Sequence, residues 1–388
     1  MTNSLPNNWQ VKSLGEVAKF INGRAFKPEE WANKGLPIIR IQNLTGFSDV
    51  FNYFDGDFEK KYLVKKNDIL ISWSASLGVY VWDKDEAVLN QHIFKVELGD
   101  NIDRVFFYYL IKTKIDEIVS HVHGSTMKHI TKDRFDNIKV KLPPLIIQKQ
   151  IAEILEKADQ ARQKRKEANK LTDEFLQSVF IEMFGDPVKN PKRWDKNSLK
   201  NVCLQITDGV HLKPNYKFEG VPFISVKDIT TGVLKFNDTK FISKEDHEIL
   251  IKRCKPEYLD ILYTKVGATY GRAAIVNTKK DFSLYVSVAL IKPNHKLINP
   301  YFLKEMMNSR YVKHQANTCI KGIGVPDLHL VEIKNFEILL PPLSLQQQFA
   351  EIVNKTEALK EKQKQSEQEL ENLFQSLMQK AFKGELVA

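Results

Sequence analysis

The sequence has few of the features on which secreted and membrane proteins depend. Only three of its 388 residues are cysteines, and their wide separation at Cys203, Cys254 and Cys319 argues against a disulfide framework or a cysteine-built zinc site. No run approaches the roughly 18 consecutive apolar residues of a membrane-spanning helix, and residues 1–10 lack the apolar core of a signal peptide. We therefore expect a protein of the reducing cytoplasm with no membrane partner.

Motifs for catalysis are also lacking. Residues 299–302 (Asn-Pro-Tyr-Phe) lack the second proline of the similar adenine-methyltransferase tetrapeptide, and no glycine-rich turn follows a strand to hold S-adenosylmethionine. Residues 326–334 contain both parts of a nuclease signature, but too close together to lie on adjacent strands of a metal site. His121, His123 and His129 cluster without a cysteine or carboxylate at metal-ligand spacing. No Walker-type phosphate loop is present either. We predict no catalytic residue, no metal and no cofactor.

Positive charge is concentrated in one part of the chain. The protein has 58 lysine and arginine residues against 48 aspartate and glutamate residues, a net charge of +10. Residues 187–339 contain 25 basic and 15 acidic residues, whereas residues 1–141, 142–186 and 340–388 are each close to neutral. Such a basic block favours a polyanionic partner. The length indicates about two or three folded units.

An internal repeat defines these four segments. The sequence LPPLIIQKQIAEILEKADQ, which begins at Leu142, aligns without a gap with LPPLSLQQQFAEIVNKTEA, which begins at Leu340, 198 residues later. The same offset still matches Gln177-Ser178 with Gln375-Ser376. One register held over this distance indicates a tandem duplication.

Each copy of the repeat predicts a long helix. Neither copy contains glycine or proline between its Pro-Pro pair and Gly185 or Gly384. Apolar residues recur at alternating steps of four and three, the spacing of a coiled-coil seam, and each helix is expected to be roughly 57 Å long. Two separate amphipathic helices, each packed on its own domain, are the alternative. The predicted seam consists of Ile147, Ile151, Ile154, Phe175, Val179, Leu345, Phe349, Ile352, Leu373 and Leu377.

The blocks before the two helices are also related, although more loosely. Trp9 and Trp194 open them, and short runs of β-forming residues predict mixed sheets with few helices. One helix is expected in each block, capped by Asp103 in the first and by Asn299, with Pro300 in its first turn, in the second. The predicted strands lie at 37–41, 69–73, 79–82, 222–226, 260–264 and 273–276.

The order along the chain is therefore block, long helix, block, long helix. Two such helices can pair only by running antiparallel or by stretching the chain, and an antiparallel pair would place the blocks at opposite ends of a rod. The predicted fold is α+β, with two mixed α/β domains separated by two long helices that form an antiparallel coiled coil. The predicted domains are residues 1–141, 142–186, 187–339 and 340–388.

This layout resembles the DNA-specificity subunits of type I restriction–modification enzymes over essentially the whole chain. The resemblance rests on the paired LPPL segments with Gln148 and Gln346, on residues 183–187 (Met-Phe-Gly-Asp-Pro) and on residues 381–386 near the carboxyl terminus. It implies that the two blocks are target-recognition domains, each of which reads one half of a bipartite DNA site. The helices would set the gap between the half-sites.

The resemblance also implies the partners of the chain. Double-stranded DNA would be bound by the two recognition domains, and two modification subunits that methylate adenine would pack around the helices. Restriction subunits, which translocate DNA with ATP, can join them. The alternative is a structural adaptor, in which the coiled coil holds two protein-binding heads apart. That alternative gives the basic block at 187–339 no role.

Candidates for contact with DNA are mainly basic residues beside glycines, because glycine lets the backbone approach a phosphate. The alternative for each is an ordinary solvated surface residue. The candidates are Arg24, Arg40, Ser72, Trp73, Lys128 and His129 in the first block and Lys213, Lys227, Lys265, Tyr270, Arg272 and Lys321 in the second.

Overall fold

The chain forms two compact units. The first unit consists of Met1–Lys166 with Gln365–Ala388, and the second consists of Glu167–Lys364. Among the described residues, no helix is both long and apolar enough to cross a membrane. The structure, a computed structural model, describes residues 8–74, 76–121, 132–212, 214–320 and 325–387.

The first unit contains two four-stranded sheets. Its strands are β1 (Gln10–Ser13), β2 (Ala18–Asn22), β3 (Leu36–Ile39), β4 (Asn52–Phe54), β5 (Leu63–Val64), β6 (Ile69–Ser72), β7 (Gly78–Val81), β8 (Ala87–Leu89), β9 (Ile93–Leu98) and β10 (Lys139–Leu142). The larger sheet, which has the longer strands, has the order β2-β9-β6-β7, and all its neighbouring strands are antiparallel. The other has the order β4-β3-β8-β5, in which β3 and β8 are parallel.

The second unit has the same topology with one strand fewer. Its strands are β11 (Lys196–Ser198), β12 (Cys203–Asp208), β13 (Val221–Ile224), β14 (Lys240–Ile242), β15 (Ile261–Thr264), β16 (Ala273–Ile275), β17 (Ser283–Leu284), β18 (Val288–Pro293) and β19 (Glu337–Leu339). The order β12-β18-β15-β16 corresponds to β2-β9-β6-β7, and β14-β13-β17 corresponds to β4-β3-β8. The duplication inferred from the helices therefore extends through both blocks.

The helices are few and mostly short outside the repeat. The first unit contains α1 (Leu14–Val17), α2 (Ile41–Leu44), α3 (Arg104–His121), α4 (Lys132–Asp136) and the start of α5 (Leu145–Phe184). The second contains α6 (Leu199–Val202), α7 (Lys244–Leu250), α8 (Pro300–Asn308), α9 (Arg310–Cys319), α10 (Leu330–Lys334) and the start of α11 (Leu343–Lys383).

Both predicted helix caps are confirmed. The carboxylate of Asp103 accepts hydrogen bonds from the backbone N–H groups of Val105 (3.0 Å) and Phe106 (2.9 Å) at the start of α3. The side chain of Asn299 accepts one from the N–H of Tyr301 (2.9 Å) at the start of α8. Each cap satisfies N–H groups that have no partner within the first helical turn.

The first and last strands of each block lie side by side. The first strand of the block pairs antiparallel with the strand that leads into the long helix, with Gln10 opposite Leu142 in the first unit and Lys196 opposite Leu339 in the second. The Pro-Pro pair then ends the strand, because proline has no N–H group to donate to a sheet. The long helix starts within three residues of the strand in the first unit and within four in the second.

The long helices α5 and α11 pack together and run antiparallel. In the first unit the guanidinium of Arg162 donates to the carboxylate of Glu371, at 2.9 Å from Nε. In the second unit the amide of Gln363 donates to the hydroxyl of Thr172 (2.9 Å). The residue number rises on one helix as it falls on the other, which is the signature of antiparallel pairing. The predicted antiparallel coiled coil is therefore present.

The buried side of the helices departs from the predicted seam at two positions. Phe175 and Leu373 are 49% and 52% exposed, and the next residues, Leu176 and Phe374, are buried instead. A shift of one residue turns a helical side chain by about 100°. Because both members of each adjacent pair are apolar, hydrophobic spacing alone does not decide which of them faces inward. The prediction is wrong for Phe175 and Leu373.

The remaining predicted seam residues lie on or beside buried faces. All of them except Ile154 pack in cores that include residues of the adjoining block, so their burial reflects contact with the domain as well as with the other helix. Ile151, Val179 and Phe349 are buried, whereas Ile147, Ile154, Leu345, Ile352 and Leu377 are partly buried.

We expect Phe374→Ala to lower the free energy of unfolding by about 3–5 kcal/mol, because it empties a fully enclosed site. The matched change Leu373→Ala should cost less than about 1 kcal/mol, since that side chain is half exposed. Urea unfolding of the chain measures both values. A larger loss for Leu373→Ala than for Phe374→Ala would contradict the observed seam.

Candidate nucleic-acid interface

In the first unit, one edge of the larger sheet brings together three side chains that can contact a base. Asn22 ends β2, Trp73 follows β6 and His92 precedes β9, so antiparallel pairing places them at the same edge. The indole N–H of Trp73 donates to Oδ1 of Asn22 (3.0 Å), and the rings of Trp73 and His92 are 4.8 Å apart between centroids. We call these positions the loop edge of the first unit.

The second unit repeats this frame with different side chains. Asp208 ends β12, Lys265 follows β15 and Ser287 precedes β18. The backbone N–H of Lys265 donates to the carbonyl of Ser287 (3.0 Å), just as the N–H of Trp73 donates to that of His92 (3.1 Å). Nζ of Lys265 lies 3.5 Å from Oδ2 of Asp208. The loop edge of the second unit, Asp208 with Lys265 and Ser287, is therefore the charged counterpart of the first.

A glycine follows β2 at the first loop edge and β12 at the second. A Cβ atom on Gly23 would lie 2.0 Å from the carbonyl oxygen of Asn90, and one on Gly209 would lie 2.0 Å from that of Leu284. No side chain fits at such distances, so both positions require glycine. At each position the glycine lets the backbone near Asn90 or Leu284 pack directly against the end of the sheet.

Buried polar atoms without a hydrogen-bond partner collect around the loop edges. They include Oδ1 of Asn90 and Nδ1 of His92 in the first unit, and Oγ of Ser287 and Oδ1 of Asp327 in the second. Asp327 is placed there by the bridge between its backbone and that of Val266. Polar atoms in such positions normally find a partner. These four buried atoms therefore keep unused hydrogen-bonding capacity beside the loop edges.

Asp208 is the centre of an ion network at the second loop edge. It is 2% exposed, and its carboxylate accepts a hydrogen bond from the guanidinium of Arg253 (2.6 Å). His211 Nε2 lies 3.5 Å from the same carboxylate. Lys265, itself 6% exposed, lies between Asp208 and Asp327, 3.8 Å from the latter. Lys265, which the sequence predicts to contact DNA, thus lies in this network with its charge between two carboxylates.

Two cations lie close together at the hairpin between β15 and β16, Arg272 in the hairpin and Lys313 on α9. The ammonium of Lys313, on α9, donates to the carbonyl of Tyr270 (2.6 Å) and lies 3.5 Å from the centre of its ring. Burial, and after it the positive charge of Arg272, lowers the pKa of Lys313. Among the described residues, no carboxylate lies within ion-pair distance of Arg272 or Lys313. The hydroxyl of Tyr270 donates to Asn317 (2.8 Å), which fixes the ring under the ammonium.

The predicted arginines of the first unit are held on aromatic rings. The guanidinium of Arg24 lies 4.5 Å from the ring of Phe26 and forms an ion pair with Glu30. That of Arg40 lies 4.5 Å from the ring of Trp31. Such stacking fixes the direction of a guanidinium. The edge of the Arg24 guanidinium already donates to Glu30.

Two predicted contact residues lie in unsuitable environments. Ser72 has no exposed surface because it ends a central strand, and its hydroxyl donates to the carbonyl of Ser76 inside the hairpin. It shapes the loop and cannot contact DNA directly. Lys227 forms an exposed ion pair with Asp238 (2.7 Å); the hydrogen bond raises the pKa of the lysine, and the carboxylate offsets its positive charge.

Four predicted contact residues, Lys128, His129, Lys213 and Lys321, lie outside the described residues. The described residues missed by sequence reasoning include Asn22, His92, Asp208, Arg253 and Lys313. Each is linked to its site by a contact with a residue at least 19 positions away, so no local motif marks it. Within the described ranges, no three histidine, cysteine or carboxylate side chains are grouped to hold a metal ion.

The chain matches a known family along most of its length. The model of the type I restriction modification DNA specificity domain matches twice, at residues 6–172 and 191–372. The two matches correspond to the two copies of the duplication.

Individual relatives span nearly the same length. The chain is 27% identical to the type I restriction enzyme EcoBI specificity subunit of Escherichia coli, over 99% of this chain and 88% of that protein. It is 24% identical to the MjaVIII specificity subunit of Methanocaldococcus jannaschii, over 98% and 94%. The fold is similar to a solved type I restriction–modification S subunit from M. genitalium, with a TM-score of 0.58, 16% identity and 98% of each chain covered.

We expect Asp208→Asn to lower the free energy of unfolding by about 3–5 kcal/mol, because it leaves the buried ammonium of Lys265 with a weaker counter-charge. The control is Asp238→Asn, which breaks an exposed ion pair in the same unit and should cost less than about 1 kcal/mol. Urea unfolding distinguishes the two. Equal losses would mean that the Asp208 network is no more buried than a surface pair.

Proposed function

Since this chain belongs to the family of type I restriction–modification DNA specificity proteins, we propose that it reads a bipartite site in double-stranded DNA. Each unit contributes one target-recognition domain, and each domain reads one half-site. The chain itself supplies recognition, and it directs partner subunits that methylate adenine or cleave DNA. A flipped adenine would then be held by the partner that modifies it.

The main support for two half-sites is the duplicated loop edge. The backbone hydrogen bonds of the two edges are the same, whereas Trp73 is replaced by Lys265 and Asn22 by Asp208. The major groove presents a different pattern of donors, acceptors and methyl groups for each base pair. One frame that presents different side chains suits the reading of two different short sequences.

The long helices are suited to set the gap between half-sites. They contain 40 and 41 residues. A helix of that length spans about 60 Å, which equals about 18 base pairs at 3.4 Å per pair. This length is an upper bound on the separation of the half-site centres.

The second domain is proposed to grip the DNA backbone more strongly. The residues from 187 to 339 carry the whole positive excess of the chain, and the Arg272–Lys313 pair has no carboxylate partner among the described residues. Two like charges held together are stabilised by a polyanion such as a phosphodiester backbone. An adaptor with two protein-binding heads gives this pair no function.

The partner subunits are proposed to dock on the long helices. In the second unit, Leu171 and Phe175 lie one turn apart on α5 and are exposed, as is Leu359 on α11. Lys360, next to Leu359, pairs with Asp173 on α5 (2.9 Å), so the three apolar side chains belong to one stretch of the helix pair. One structurally similar chain (TM-score 0.60, 19% identity, 99% and 100% covered) comes from work on complex assembly of the type I R-M system. We expect two modification subunits there, with restriction subunits joining the complex.

The double change Arg272→Ala with Lys313→Ala should reduce the dependence of DNA affinity on salt. If each cation neutralises one phosphate, the slope of log affinity against log salt becomes smaller by about 0.9 per cation. The control is Lys279→Ala with Lys280→Ala, two exposed lysines of the same unit. Fluorescence anisotropy of the assembled complex on a duplex, at several potassium chloride concentrations, gives the slopes. An equal change in the control pair would contradict a local phosphate contact.

Inserting one heptad into each helix, after Lys166 and after Lys364, tests the bipartite reading. These positions are equivalent in the repeat, and the insertions lengthen each helix by about 10 Å, or about three base pairs. We expect the methylated motif in cells to keep both half-sites and to gain a longer gap, as read by methylome sequencing. A motif without two parts, or an unchanged gap in an active variant, would reject the proposal.

A further inference from the structure

The first buried glutamine of each long helix ties that helix to its domain. Gln148, the fourth residue of α5, is 1% exposed, and its Oε1 accepts a hydrogen bond from the backbone N–H of Asp103 (2.8 Å). Its Nε2 donates to the carbonyls of Asn101 (3.0 Å) and Pro143 (2.9 Å). One side chain thus joins the start of α5, the Pro-Pro turn and the start of α3.

The second unit repeats this arrangement 198 residues later. Gln346, the fourth residue of α11, has no exposed surface. Its Oε1 accepts a hydrogen bond from the backbone N–H of Asn299 (2.8 Å), and its Nε2 donates to the carbonyl of Pro341 (2.7 Å). Asp103 and Asn299 are the caps of α3 and α8, so both glutamines hold the same point of their domains.

Both ends of the amide are used, which makes the contact specific for glutamine. Methionine has a similar length and volume but can neither donate to the two carbonyls nor accept well from the N–H group. Glutamate can accept from the N–H group but cannot donate when ionised. Because every partner is a backbone group, the contact depends on where the chain runs and not on which side chains the domain presents.

We propose that Gln148 and Gln346 are positioning residues for bipartite recognition, each fixing the direction in which its long helix leaves its recognition domain. This inference rests on the proposed function. Neither glutamine belongs to a loop edge, so neither reads a base. A tilt of about 10° at the start of a helix of about 60 Å moves its far end sideways by about 10 Å. The glutamines therefore act on whether both domains can engage their half-sites at one fixed gap, and not on the reading of either half.

The test uses Gln148→Met and Gln346→Met, with Gln150→Met and Gln348→Met as controls. The controls replace exposed glutamines two residues further along the same helices, again 198 positions apart. The complex assembled with modification subunits is titrated with duplexes whose gap is native, or longer or shorter by one and two base pairs. A duplex with only one intact half-site is titrated in parallel.

We expect the test variants to bind the native-gap duplex about tenfold more weakly, the effect of lost buried hydrogen bonds. Their preference for the native gap should flatten, while binding to the single half-site stays unchanged. The control variants should behave as wild type. If a methionine variant does not fold, Gln148→Glu and Gln346→Glu, which keep the acceptor and lose the donors, are measured instead.

Two results would overturn the inference. One is a variant with weaker binding whose gap preference is unchanged. The other is an equal loss on the half-site and full-site duplexes, which a purely structural role produces. A wild-type complex with no gap preference at all would reject the bipartite function itself, so the two failures are distinguishable.

Discussion

The polar contacts in the middle of the two long helices fix the register on which the rest of the structure depends. Gln363 bonds to Thr172, and Arg162 bonds to Glu371 while its guanidinium lies 4.1 Å from the ring of Phe374. An apolar seam alone tolerates a slip of one heptad, but a slip here would leave buried polar groups without partners. The contacts thereby determine which half of each helix is available to each domain core.

Sequence periodicity predicted the existence, length and duplication of the helices, but not every buried position. The caps Asp103 and Asn299 were predictable because a cap acts on N–H groups two or three residues away. Which of Leu373 and Phe374 faces inward was not predictable, because both are apolar and the buried one is set by packing against the domain. The aromatic contact of Phe374 with Tyr109 (6.0 Å between centroids), a residue far away in sequence, decides it. The division into two compact units likewise follows from contacts between residues far apart in sequence, and not from the order of segments along the chain.

The candidate site was predictable only in outline. The strands and the hairpins after β6 and β15 follow from local pattern, which is why Trp73 and Lys265 could be chosen. Their environments could not be foreseen, because Asn22 and Asp208 approach them from another strand more than fifty residues earlier. Ser72 shows the limit most clearly. A small polar residue beside a predicted hairpin reads as a surface residue, yet the depth of its strand in the sheet buries it.

The charge of the second block is distributed less evenly than its total implies. Lys265 is held by two carboxylates, Lys292 bonds to Asp260 (2.7 Å), and Lys227 pairs with Asp238. These cations contribute to the net charge, but their fields are largely cancelled at the distance of a bound phosphate. The pair of Arg272 and Lys313 is different, since burial and mutual repulsion already lower the pKa of the lysine. An approaching polyanion relieves that repulsion, so the attraction should be local to the hairpin and not spread over the block.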